Sequence, residues 1–170
     1  MDPLIQTTYA RSFKGKLYAR AGSRNVPLRL SRDSDKFSWG LAPGHDWLLA
    51  GGVQASLTLT FSYRSHSENR LHYAISIPGP AKTSAGPPSP KRLGISVNGY
   101  LGFYWHADVT EDWKIEPLEM TDEGLICHLR DHQGHRVAAI RDDPHRSGQA
   151  MYQLNVNEGE VLTFLLQQEN

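Results

Sequence analysis

Apolar and polar residues alternate with a period of two along most of the chain. In SLTLTFSY (Ser56 to Tyr63), Leu57, Leu59, Phe61 and Tyr63 alternate with Ser and Thr, and LHYAISI (Leu71 to Ile77) places Leu71, Tyr73, Ile75 and Ile77 on one face. The polar RSHSEN between them makes these two runs a hairpin. Further on, Leu93, Ile95 and Val97 alternate up to Asn98-Gly99, a strong hairpin-turn signal that leads into YLGFYW. Leu125, Cys127 and Leu129 alternate up to DHQG, HRVAAI follows, and MYQLNV turns through Asn157-Glu158-Gly159 into EVLTFLL. Shorter strands are expected at Lys16–Tyr18, Val26–Leu30, Lys36–Trp39 and Trp113–Ile115, about a dozen in all. No window competes as a helix, because Pro117 interrupts the best one, residues 113–120.

Short strands punctuated by Gly, Asn and Pro predict an all-β chain folded as an antiparallel β-sandwich, with a β-trefoil or closed β-barrel as the alternative. An internal echo bears on that choice. Gly99-Tyr100-Leu101, Trp113-Lys114-Ile115 and Gly124-Leu125-Ile126 are followed by a comparable series from Gly134 through Tyr152 to Gly159. A repeat of roughly 35–40 residues suits a trefoil, although any meander of hairpins produces a similar echo.

One segment breaks the pattern. PGPAKTSAGPPSP (Pro78 to Pro90) holds five prolines and no large apolar residue, so it reads as a mobile loop within one domain spanning 1–170. Its P-x-x-P and Ser-Pro-Lys-Arg patterns arise readily by chance in such loops, and we treat it as a spacer.

The composition narrows the function. Eighteen Lys and Arg balance eighteen Asp and Glu, so no net charge draws the chain to nucleic acid. A single cysteine, Cys127, excludes an intrachain disulfide or a multi-cysteine metal site. The N-terminus has no apolar signal-peptide core and no run is long enough to span a bilayer, so a cytoplasmic protein is expected, with unconventional secretion as the alternative. No phosphate loop and no G-x-S-x-G elbow occur, which leaves an enzyme without a positive signal, and no cofactor is expected. The tip CHLRDHQGHR gathers His128, Asp131, His132 and His135, but an exposed turn without further cysteines is a solvated tip rather than an essential metal site.

Aromatic residues are the remaining candidates. Trp39 and Trp47 flank one stretch, and Tyr100, Phe103, Tyr104, Trp105, His106 and Trp113 crowd another. In YLGFYWHAD, alternation sends Phe103 and Trp105 to one face, and Tyr104 and His106 to the other. One face fills the core, and the other is a candidate binding surface. The ligand-binding candidates are therefore Trp39, Trp47, Tyr104, Trp105 and His106.

These aromatic sets resemble the aegerolysin family over the first two thirds of the chain. AGSRNVPLRLSRDSDKFSWG (Ala21 to Gly40) is similar to that family's early hairpin, and Phe103 to Trp105 stand where it carries a Tyr-Trp pair. Its Cys-Gly-Arg-Ser segment appears here as Ser62-Tyr63-Arg64-Ser65. The resemblance implies a non-enzymatic β-sandwich protein that recognises membrane lipid head groups, with Trp39, Tyr104 and Trp105 as contacts. A carbohydrate-binding, lectin-like module and a protein-protein interaction or inhibitor domain are the alternatives that the aromatic clusters also fit.

Overall fold

A computed structural model describes residues 1–31, 46–78, 90–105, 108–142 and 151–169. The expected strand at Lys36–Trp39, the candidates Trp39 and His106, and residues 79–89 of the proline-rich segment lie outside the described residues. Within them the chain forms one helix, α1 (Pro3–Tyr9), and thirteen strands. These are β1 (Phe13–Ala21), β2 (Arg24–Leu30), β3 (Leu48–Ala50), β4 (Thr58–Ser67), β5 (Arg70–Ile77), β6 (Lys91–Ile95) and β7 (Leu101–Trp105). They continue as β8 (Trp113–Thr121), β9 (Gly124–Arg130), β10 (Ala138–Asp142), β11 (Met151–Asn155), β12 (Glu160–Val161) and β13 (Phe164–Gln168). All strand pairings among them are antiparallel, so the all-β class holds.

Six strands close a ring. β1 pairs with β4, β4 with β5, β5 with β8, β8 with β9, β9 with β13, and β13 returns to β1. A sandwich would leave free edges on both sheets, whereas closed pairing is what the barrel and trefoil alternatives require. Between ring strands come three further pairs, β2 with β3, β6 with β7 and β10 with β11. Their second strands meet one another: β3 pairs with β11, Trp47 bridges to Gly102 on β7, and Tyr100 beside β7 bridges to Asn155 on β11. The three successive units begin at Phe13, Arg70 and Gly124, a longer spacing than the echo in the sequence suggested.

Alternation explains the interior. Leu17 on β1, Leu59 and Phe61 on β4, and Leu71, Tyr73 and Ile75 on β5 point inward, as do Ile115 on β8, Leu125 and Cys127 on β9, and Phe164 and Leu166 on β13. The same core cluster continues into the strand pairs through Leu28, Leu48, Leu93, Leu101, Phe103 and Leu154. Residues 113–120, the best helical window, lie on β8 instead. Trp113, Ile115 and Pro117 keep the period of two, and Pro117 lies beyond the last β5 partner, Leu71 opposite Ile115, where a missing N–H costs the ladder less. A register shift between Pro117 and Glu119 then turns Leu118 out to solvent.

The helix was not expected. Asp2 caps it, its carboxylate accepting from the Leu4 amide at 2.7 Å, and Pro3 occupies the first turn. Ile5 and Tyr9, four residues apart and so on one face, are its two buried side chains. The Tyr9 hydroxyl donates to the Leu166 carbonyl at 3.3 Å, the Tyr73 hydroxyl donates to the Tyr9 carbonyl, and the Tyr9 ring meets Phe13 edge-on. Tyr9 thus ties β1, β5 and β13 together at the ring end away from the three strand pairs.

Candidate functional site

Five cross-strand pairs hold β6 against β7, from Lys91 opposite Trp105 at one end to Ile95 opposite Leu101 at the other. Phe103 is fully buried, yet Trp105, on the same face by alternation, is 46% exposed. Alternation puts the two on one face, but Trp105 ends β7, and the strand has run past the core by that point. Its cross-strand partner Lys91 puts Nζ 4.9 Å from the centre of the indole and 2.8 Å from Asp46 Oδ2. The backbone fixes Asp46 in turn, since its carbonyl accepts from the Phe103 amide at 2.8 Å and the next residue, Trp47, bridges to Gly102.

Tyr104 occupies the opposite face of β7 from Trp105, as alternation requires, but it is half-buried. Its ring lies over the cross-strand glycines Gly94 and Gly102, and a Cβ added at Gly94 would stand only 2.9 Å from the ring. The two glycines make the slot that the tyrosine fills. Burial, and secondarily the Asp46 charge, raise the Tyr104 hydroxyl above its ordinary pKa, so it stays a neutral phenol. Trp47 is half-buried and meets Tyr100 edge-on, ring centres 5.5 Å apart, while its backbone exchanges bonds with Ser31. Trp47, Tyr104 and Trp105 are therefore all gathered around Asp46, with Trp105 the ring most open to solvent. No protein-family model matches the chain, and neither a curated protein nor a solved structure was found to match it.

Asp46 and Lys91 escaped the sequence reading because only the β6–β7 register and the bridge at Trp47 bring them together. The sequence carried only a near signal: Lys91 and Trp105 each stand seven residues from Asn98, the centre of the observed register, whereas a two-residue turn at Asn98-Gly99 sets Lys91 opposite residue 106.

The other constellations are engaged locally. At the histidine-rich tip the closing pair is Asp131 with His135, not His132 with His135. The buried Asp131 carboxylate accepts from the His135 amide at 2.7 Å and meets the ring Nδ1 at 2.9 Å, and Gly134 takes the left-handed position of the turn. Arg136 faces Glu116 rather than Asp131. Among the described residues no group of three or more His, Cys, Asp or Glu side chains is placed to hold a metal ion. Burial pushes the Cys127 thiol up, so it stays protonated in the core. Ser65 and Ser67 each place an oxygen 3.1 Å from a ring nitrogen of His72, so two hydroxyls occupy the imidazole and no carboxylate orients it. A shallow cleft of ≈ 170 Å³ beside β6 is lined by Leu93, Ile95, Val109, Glu111, Asp112 and His132. The buried Arg92 guanidinium holds its wall together, donating to the Val109 carbonyl and to Asp112.

Proposed function

We propose that this is a non-catalytic binding protein that recognises the zwitterionic head group of a choline phospholipid at Trp105. One observation carries the reading: a half-exposed indole with a carboxylate and an ammonium fixed beside it. A quaternary ammonium cannot donate a hydrogen bond, so it is recognised by an aromatic face together with a nearby negative charge. Trp105 offers the ring, and Asp46, with a side chain 44% exposed, offers the charge. Lys91 offers a cation to the phosphate at the other end of the same head group. The indole already holds one cation, Lys91, which marks it as an electrostatically suitable face. A net charge of zero suits a neutral bilayer better than an acidic one.

Sedimentation with vesicles tests this reading. The full chain is expected to sediment with phosphatidylcholine or sphingomyelin vesicles and to stay in solution with phosphatidylglycerol vesicles, and Trp105→Ala is expected to abolish sedimentation. A protein that ignores every vesicle but is retained on an immobilised neutral glycan would move the site to carbohydrate, since the same Trp and Asp suit a stacked sugar.

A further inference from the structure

A second surface lies on the outer face of β5, β8 and β9. Register places Ser65 on β4 opposite His72 on β5, His72 opposite Lys114 on β8, Lys114 opposite Arg130 on β9, and Arg130 opposite Arg136. Three charged side chains, Lys114, Arg130 and Arg136, thus stand in one row across adjacent chain segments, each about 5 Å from the next, with His72 at its end, an imidazole whose pKa burial and the Lys114 charge lower. Their neighbours Leu71, Tyr73, Ile115 and Leu129 are buried, so the row faces outward. Arg70, one step along β5 from the row, brings Nη1 within 3.7 Å of the position a Gly134 Cβ would take, and Arg130 Nη1 donates to the Gly134 carbonyl at 2.6 Å.

Like charges directly opposed in a sheet are unfavourable, so such a row calls for a counter-charge. The chain supplies part of one. Glu116 pairs with Arg130 and Arg136, and the nearby Asp112 is already shared by Arg92 and Arg64. Lys114 and Arg70 have no carboxylate within ion-pair distance among the described residues, Lys114 donating instead to the His132 carbonyl. A protein with no net charge therefore concentrates positive charge on one face.

We propose that this face binds a sulfated polysaccharide, with Arg70, Lys114 and Arg136 contacting successive sulfates and the Ser65 and Ser67 hydroxyls beside them. Nucleic acid fits less well, because no Phe, Tyr or Trp stands in the row and its one ring, His72, has both nitrogens held by Ser65 and Ser67. An acidic bilayer fits less well too, because no apolar side chain projects from the row.

The test is retention of the full chain on immobilised heparin at pH 7.4, using variants that keep the native unfolding midpoint. The wild type is expected to be retained at 0.15 M salt (roughly physiological ionic strength). Arg70→Gln with Lys114→Gln is expected to weaken binding roughly tenfold or more and to lower the salt slope by about one per side chain removed. Lys14→Gln with Arg24→Gln, an equal charge change on β1 and β2 across the ring, is expected to leave retention unchanged, as is Trp105→Ala, which separates this surface from the head-group site. Wild type in the flow-through, or equal weakening by the Lys14 and Arg24 pair, would overturn the proposal. Release by a DNA oligonucleotide or phosphatidylserine vesicles as readily as by free heparin would overturn the assignment to a sulfated glycan.

Discussion

Phe103 and Trp105 sit two residues apart on one face of one strand, and the account assigns them opposite roles. Truncating each to Ala measures that difference directly. Phe103 is 1% exposed and packs in the core cluster, so its loss removes a full aromatic side chain and leaves a cavity, at a cost of about 3–5 kcal/mol. Trp105 is 46% exposed. A half-covered indole gives up on the order of 100 Å² of burial, and about 25 cal/mol per Å², discounted for a compact unfolded chain, amounts to about 1–2 kcal/mol. The Lys91 contact over the ring falls within that range. Urea unfolding followed by circular dichroism reads both variants, with slopes compared to confirm that the midpoint shift reflects stability. A Trp105→Ala cost equal to or above that of Phe103→Ala would show that Trp105 is a core residue, and the binding surface built on it would fall.

Two other predictions concern what holds the ring. Tyr9→Ala, which removes the hydroxyl bond to β13 and the ring contact with Phe13 while leaving the backbone carbonyl that accepts from Tyr73, is expected to cost about 3–5 kcal/mol, whereas Leu4→Ala on the exposed side of the same helix should stay within about 0.5 kcal/mol in the same unfolding assay. Glu116 is largely covered, and burial alone would raise its pKa, but the Arg130 hydrogen bonds and the Arg130 and Arg136 charges outweigh burial and hold it below the usual carboxylate range. A carboxyl with a depressed native pKa contributes stability above its unfolded value of about 4.3, and that contribution disappears as pH falls through the native value. Glu116→Gln is thus expected to cost about 2 kcal/mol at pH 7 and to converge on the wild type only as pH falls through the depressed native value, below the usual carboxylate range; a difference that stays constant from pH 7 down to acid unfolding would contradict the ion-pair account.

Much of this architecture is legible in the chain because hairpins are local. The alternation in β4, β5, β9 and β13 and the turn at Asn98-Gly99 fix strand positions without any knowledge of partners. Ring closure is different, since β1 with β4, β5 with β8 and β9 with β13 are non-local pairings that leave no periodic trace in the sequence. The helix α1 is too short for its periodicity to register, having only Ile5 and Tyr9 buried, although the Asp2-Pro3 start carries the cap signal. The site divides the same way. Alternation places Tyr104 and Trp105 on opposite faces, but exposure depends on where the core ends along β7 and on the Gly94 and Gly102 slot that draws Tyr104 in. The basic row is invisible in sequence for the reason the ring is: His72, Lys114, Arg130 and Arg136 become neighbours only through register.

The central claim, head-group recognition at Trp105, meets its most direct test in a calorimetric titration of the full chain with soluble phosphocholine. The account predicts saturable binding that Trp105→Ala abolishes and Asp46→Asn weakens at least tenfold, with both variants folded. Binding that survives Trp105→Ala unchanged, or no binding by the wild type at millimolar phosphocholine, would contradict it.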